Sequence, residues 1–170
     1  MKKWMIFPAL FALLFIACDK IPELPSETHT GANTFAYLVN GELSLPLRAY
    51  RPSEAYNDYP RAHYDAQTKI LKIVGYGHNG QEMHFTVTNP RGLASMPIDT
   101  ARFYLSNVDS YYYGGNAIGE ITFTYLGIAN NIVSGRFRFT GYKYDKTTDL
   151  PVGGSEPLTI TKGVFDIKMN

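Results

Sequence analysis

The stretch IVSGRFRFTGYKY, residues 132–144, carries the clearest β-strand pattern in the chain. The apolar side chains at its odd positions are Val133, Phe137 and Phe139. The basic side chains between them are Arg136 and Arg138. Because successive side chains of a strand point to opposite faces of a sheet, this alternation predicts an antiparallel strand with one buried and one solvated face.

Similar runs follow one another along the chain with turn residues between them. EMHFTVTN (82–89) and EITFTYL (120–126) alternate in the same way. Asn40-Gly41 lies between two apolar runs, and both residues tolerate the positive φ of a two-residue hairpin turn, which would place Leu38 opposite Leu43. Without crossover helices, these runs predict an all-β fold, an antiparallel β-sandwich of about eight to nine strands, with a small β-barrel as the alternative.

The last run, LTITKGVFDIKM (158–169), changes parity once. Leu158 and Ile160 fall at even positions, whereas Phe165 and Ile167 fall at odd ones. One extra residue would return the later side chains to the core face. The sequence therefore predicts a β-bulge at Lys162-Gly163.

Length and composition indicate one domain of ordinary size. The chain has 170 residues, 45% of them hydrophobic and 18% charged, and a formal net charge of +1. Neither a basic nucleic-acid-binding surface nor an acidic disordered tail is indicated, so we expect no nucleic-acid partner. The 13 tyrosines and 10 phenylalanines favour strands, because aromatic side chains suit a pleated, half-buried surface.

The N-terminus has the three-part order of a secretory signal: two lysines, an apolar run and a small residue. The run is shorter than the ~20 residues that a membrane-spanning helix needs. A permanent transmembrane helix is one alternative to the signal peptide. LFIAC (14–18) resembles the lipobox of bacterial lipoproteins, and this resemblance implies that Cys18 is lipidated and begins the mature chain. The other alternative is an ordinary cleaved signal with an incidental thiol.

The domain organisation expected from these features has three parts. Residues 1–17 form the signal peptide, and residues 18–30 form the lipidated cysteine with a flexible tether. The tether is inferred from its prolines and acidic residues, which favour solvated chain over strand pairing. Residues 31–170 form a single β domain.

Three further segments, NTFAYLVNG, NNIVSGRFRFT and ITKGVFDIK, together resemble a family of small Bacteroidota lipoproteins of unknown function. The likeness covers the two ends of the domain better than its middle. It implies an exported β domain and assigns no residue a role.

The sequence offers little support for catalysis or a cofactor. His63, His78 and His84 stand in none of the spacings typical of metal sites, so we expect no metal and no cofactor. No G-x-S-x-G motif is present, although paired carboxylates far apart in sequence would leave no local signal. We expect the protein not to be an enzyme.

Tyrosines in the apparent loops are the remaining candidates for function. They occur in AYRPSEAYNDYPRAHY (49–64) and SNVDSYYYGGN (106–116). Tyrosine concentrates on recognition surfaces because it offers rigid area and a hydroxyl. The candidate binding residues are Tyr56, Tyr59, Tyr111, Tyr112 and Tyr113. The alternative is that these rings pack over the ends of the sandwich.

These observations predict a lipid-anchored protein of the cell envelope with a non-catalytic β domain, an accessory or binding module. We expect it in the outer membrane, periplasmic or surface-exposed. Its partners would be membrane lipid, through acylated Cys18, and an envelope protein or glycan. The alternatives are a barrel that carries a small ligand and a hydrolase built around His63 or His78.

Overall fold

The computed structural model describes residues 23–45, 60–106, 108–115 and 118–170. The predicted signal peptide, Cys18 and two of the candidate tyrosines, Tyr56 and Tyr59, lie outside these ranges. Within them, helical structure is limited to two 3-10 turns, His78–Gly80 and Ile128–Asn130. No helix among the described residues has the length and apolar character needed to cross a bilayer.

The described chain forms strands that pair only in the antiparallel sense. The strands are β1 Thr34–Val39, β2 Glu42–Ser44, β3 Arg61–Asp65, β4 Ile70–Tyr76, β5 Glu82–Thr88, β6 Ser95–Pro97, β7 Thr100–Tyr104, β8 Ser110–Gly115, β9 Gly119–Gly127, β10 Ile132–Asp145 and β11 Leu158–Lys168. The all-β prediction is confirmed.

Strand β10 is shared between two parts of the sheet. Nine strands follow one path, β2-β1-β11-β10-β8-β7-β5-β4-β3, while β9 pairs with β10 beside this path and β6 pairs with β9. The first part of β10 pairs with β11 and β9 in what we call the first sheet. Its end, from Tyr142 to Asp145, pairs with β8 in the second sheet, which also contains β3, β4, β5 and β7. The first sheet also contains β1, β2 and β6. The whole curls into a half-barrel, as expected of a sandwich or small barrel.

Aromatic rings from both sheets meet in the core. Phe85 of β5 lies 4.6 Å from Phe137 of β10 and 6.3 Å from Phe35 of β1, between ring centroids. The Phe35 and Phe137 rings stack at 5.1 Å. Burying each such ring contributes about 1.5–3 kcal/mol, so this cluster is a main attachment between the two sheets.

Both predicted local features are present. Asn40 and Gly41 have positive φ, 48° and 90°, and Leu38 pairs with Leu43 across the hairpin. Lys162 also has positive φ, 50°, and the register between β10 and β11 shifts there. The bulge thus keeps the apolar side chains on both sides of it in the core.

The segment before β1 is attached to the domain through Asp166 of β11. This carboxylate is 1% exposed. Its donors are the Thr28 and Thr30 hydroxyls, the backbone N–H groups of Thr30, Gly31 and Ala32, and the Ser134 hydroxyl. Burial alone would raise the pKa of Asp166, but the hydrogen bonds outweigh burial and lower the pKa to about 2. We call this cluster the Asp166 clasp.

Contacts of the N-terminal segment begin before the clasp. Glu27 forms an ion pair with Arg136, and His29 stacks on Tyr125 at 5.6 Å. The predicted flexible tether, 18–30, therefore includes residues that pack against the first sheet. From Glu27 onward, the tether segment contacts the domain and is not the solvated chain that the sequence predicts.

Candidate functional site: a tyrosine face on the second sheet

The outer side of the second sheet carries two cross-strand rows rich in tyrosine. Arg102 of β7 pairs with Tyr113, which pairs with Tyr142. In the next row Tyr104 pairs with Tyr111, which pairs with Tyr144. Paired residues share a face, and the neighbours Ala101 and Phe103 point into the core. These rows therefore face away from it.

Both rows continue onto β5, β4 and β3. Arg102 pairs with His84, which leads through Val74 to Arg61. Tyr104 pairs with Glu82, which pairs with Tyr76. We call the outward tyrosines of the two rows the tyrosine face; they are Tyr76, Tyr104, Tyr111, Tyr113, Tyr142 and Tyr144.

The rings at the β7–β8–β10 end contact one another. The Tyr111 centroid lies 5.4 Å from that of Tyr104 and 5.8 Å from that of Tyr144. Tyr113 meets Tyr144 edge to face at 5.3 Å. Aromatic pairs at these separations each contribute about 0.5–1.5 kcal/mol beyond their buried area, so the rings hold one another in place.

Cations lie over this face. The Arg102 guanidinium lies 5.5 Å from the Tyr111 centroid and 5.9 Å from that of Tyr113. A hydrogen bond to Tyr104 is the main reason that the pKa of Arg102 is raised. At the other end of the two rows, on β3 and β4, the Arg61 guanidinium lies 5.8 Å from the Tyr76 centroid. Each of these arrangements is a cation–π contact.

Tyr111 connects the loop after β10 to the tyrosine face through a hydrogen bond. It is 5% exposed, and its hydroxyl donates to Asp149. Burial, and then this carboxylate, raise the pKa of Tyr111 to about 12, so the phenol stays neutral at physiological pH. In the same loop, Lys146 Nζ lies 5.9 Å from the Tyr104 centroid. Tyr111 is therefore a positioning residue rather than a contact surface.

The structure divides the predicted tyrosine triplet. Tyr111 and Tyr113 lie on the outer face, whereas Tyr112 pairs with Phe103 and packs against the core. Of the three, Tyr113 is the one placed for contact with a ligand. Tyr142 beside it is 48% exposed.

Sequence reasoning did not select the other members of the face, Tyr76, Tyr104, Tyr142 and Tyr144, nor the arginines. Tyr142 and Tyr144 do stand two residues apart in a strand, which predicts a shared face. Their alignment with Tyr113 and Tyr111 depends on strand order and register. A single sequence does not provide either.

The histidines of the hydrolase alternative have separate environments. The Nδ1 atom of His63 lies 3.3 Å from the Asn170 backbone oxygen. His78 contacts the Ser44 hydroxyl through its backbone N–H, at 3.2 Å, and not through its ring. His84 Nε2 lies 2.8 Å from Glu82 Oε1. Among the described residues, no group of three or more histidine, cysteine or acidic side chains could hold a metal ion.

A concave site of about 330 Å³ lies elsewhere, over β9, β10 and β11. It is lined by Arg138 and Glu120, which form an ion pair at 2.8 Å, and by threonines of β10 and β11. Arg138 is on the solvated side of β10. The site is thus a groove on the first sheet, and the core beneath it is occupied by side chains such as Phe123 and Ile160.

Comparisons with known proteins return no relative. No family model, no curated protein and no solved structure matches this chain.

Proposed function

We propose that the protein is a lipid-anchored recognition module of the bacterial cell envelope that binds its partner through the tyrosine face. The observation that carries this proposal is the alignment of six outward tyrosines in two rows, with arginines over their rings. Rigid aromatic side chains with hydroxyl groups lose little conformational freedom on binding. Such a face suits recognition.

The position of the face relative to the N-terminal segment supports the proposal. Ser134 of β10 belongs to the Asp166 clasp, and Tyr144 of the same strand belongs to the face. Ten residues of strand separate them, up to about 33 Å at 3.3 Å per residue. An anchor at Cys18 would reach the domain at the clasp, so the tyrosine face would lie far from the lipid.

The membrane part of the proposal comes from the sequence. The lipobox-like LFIAC supports acylation of Cys18, and the likeness to small Bacteroidota lipoproteins supports the outer membrane. One acyl chain holds a protein only marginally, whereas two or more signals hold it stably. The three chains of a lipoprotein cysteine would make the anchor permanent.

A non-catalytic role is part of the proposal. His63 Nδ1 lies near the Asn170 backbone oxygen, whereas His78 contacts Ser44 through its backbone N–H. Phenylalanine rings fill much of the core between the sheets. These features favour binding at a surface over hydrolysis or carriage inside a barrel.

The anchor is tested by Cys18→Ala in a bacterial host that acylates lipoproteins. The variant should move from the membrane pellet to the soluble envelope fraction and lose incorporation of labelled palmitate. Retention in the membrane without the label would contradict the anchor.

The face is tested with the full chain and purified envelope polysaccharide and peptidoglycan on beads. The double variant Tyr113→Ser, Tyr142→Ser should lose retention on one of these materials, and Tyr125→Ser on β9 should keep it. Equal retention of both variants would refute the tyrosine face as the binding surface.

A further inference from the structure

The charges of the tyrosine face are arranged in a way that selects a ligand class. The cations in the two rows are Arg61 and Arg102. Two lysines lie on the same side, Lys72 on β4 and Lys146 in the loop after β10. Carboxylates on the same side, among the described residues, include Asp65, Glu82 and Asp149. The two sets differ in their partners.

Each carboxylate already has a partner of its own. Asp65 accepts the backbone N–H groups of Gln67 and Thr68 in a turn. Glu82 lies beside His84, and Asp149 accepts the Tyr111 hydroxyl. Arg61 and Arg102, in contrast, lie over uncharged rings, and the carboxylate that acts on Arg102 is Asp149, which already accepts the Tyr111 hydroxyl. A guanidinium has five N–H donors, more than one tyrosine hydroxyl satisfies, so both can contact an anion.

The two arginines stand in one row. Arg61, Val74, His84 and Arg102 are successive cross-strand partners on β3, β4, β5 and β7. Three strand spacings separate the arginine backbones, about 14 Å in total. The row then continues to Tyr113 and Tyr142. A ligand that uses the whole row must be elongated, lie across the strands and carry repeated negative charge.

The composition of the rows favours sugar over protein. The fully buried centre of a protein interface is usually apolar and depleted of charged residues. These two described rows carry Arg61, Glu82 and Arg102, and their single aliphatic side chain is Val74. Their other members offer aromatic rings, hydroxyl groups and N–H donors. Rings suit the apolar faces of sugars, and the donors suit their oxygen atoms.

We propose that the tyrosine face binds a linear acidic polysaccharide that runs across the strands. Its anionic groups contact Arg61 and Arg102, and its sugar rings pack on Tyr113 and Tyr142. This inference rests on the proposed function, since it names the ligand of the same face.

The test uses the full acylated chain in phosphatidylcholine vesicles and four soluble probes. These are polygalacturonate, dextran sulfate, neutral dextran and poly-glutamate of similar length. The first two carry carboxylate and sulfate on a sugar chain, the third has no charge, and the fourth carries carboxylate on a peptide. Binding is measured at low and high salt.

The double variant Arg61→Gln, Arg102→Gln should bind an acidic polysaccharide about tenfold more weakly, because charge-assisted hydrogen bonds are lost. The matched control Arg136→Gln, Arg138→Gln removes two arginines from the outer side of the first sheet. It should change binding by less than about twofold, as expected for exposed ion pairs. Added salt should weaken binding by the wild-type chain.

Other results separate the two proposals. If poly-glutamate bound as tightly as polygalacturonate, the ligand would be an acidic protein rather than a polysaccharide. That result would overturn the inference. Binding of neutral dextran that depends on Tyr113 and Tyr142 but not on the arginines would also overturn it, while leaving the proposed function intact. Binding of an acidic polysaccharide that neither Arg61→Gln, Arg102→Gln nor Tyr113→Ser, Tyr142→Ser changes would overturn both.

Discussion

The Phe137 ring lies directly over Gly163, its partner across β10 and β11. A Cβ atom at Gly163 would stand 2.5 Å from the nearest carbons of that ring. Two residues along, the arrangement is reversed: Phe165 pairs with Gly135, and its ring lies 2.9 Å from where a Gly135 Cβ would be. The repeated Gly-x-Phe pattern of the two strands is therefore a reciprocal packing unit, in which each glycine makes room for the opposite ring.

We expect Gly163→Ala to lower the free energy of unfolding by about 1–3 kcal/mol, the usual cost of overfilling a packed core. Phe137 is buried among other rings and has little room to move. Gly153→Ala is the matched control, because nothing lies within 4 Å of its Cβ position. Urea denaturation of both variants checks this. Equal stability of the two would show that the ring does not press on Gly163.

Lys162 provides a second test of the same region. An L-residue with a side chain pays roughly 1–2 kcal/mol in the left-handed conformation, and a β-branched one is more restricted. Lys162→Gly should thus be at least as stable as the wild type, whereas Lys162→Val should lose about 1–2 kcal/mol more. Thermal unfolding gives the order. A valine variant as stable as the glycine variant would contradict a bulge at this residue.

Much of this architecture was predictable from sequence because one-residue effects leave local signals. The parity change after Ile160 requires one extra residue, and the nearby glycine indicates where it lies. Asn40-Gly41 likewise specifies its turn through backbone freedom alone. The Asp166 clasp left no such signal, because its donors come from 28–32 and 134, far away in the chain, and their approach depends on strand order.

The Asp166 clasp makes the free energy of unfolding depend on pH in the acidic range. The pKa of Asp166 is lowered from 3.8 to about 2 in the folded protein. A lowered pKa contributes stability above the unfolded value, and this contribution is lost as the pH falls from about 4 to about 2. The difference of nearly two units corresponds to about 2 kcal/mol.

We therefore expect the stability of the wild type to fall by about 2 kcal/mol more than that of Asp166→Asn over this range. Denaturant unfolding at several pH values between 2 and 7 measures it. Ser134→Ala removes one donor and should move the acid transition to higher pH. Parallel pH profiles for the wild type and the asparagine variant would show that Asp166 is not held as a carboxylate.

Only part of the tyrosine face could be predicted from the sequence. The triplet Tyr111 to Tyr113 indicated an aromatic surface, and strand periodicity required it to show both sides of the sheet. Which side faces the core was set by the partner strand, where Phe103 is buried and Arg102 is exposed. The arginines were not recognisable as partners because cation–π contacts across strands have no fixed sequence spacing.

The two sides of the triplet should respond differently to the same substitution. Tyr112→Ser removes a ring that packs against the core beside Phe103 and should lower the free energy of unfolding by about 2–4 kcal/mol. Tyr113→Ser removes an outward ring with two partners, Tyr144 and Arg102, and should cost about 1 kcal/mol or less. Calorimetry distinguishes them, and retention on envelope polysaccharide should fall for Tyr113→Ser under conditions where both variants are folded. A Tyr112 variant that kept full stability but lost binding would mean that the opposite side of β8 is the recognition surface.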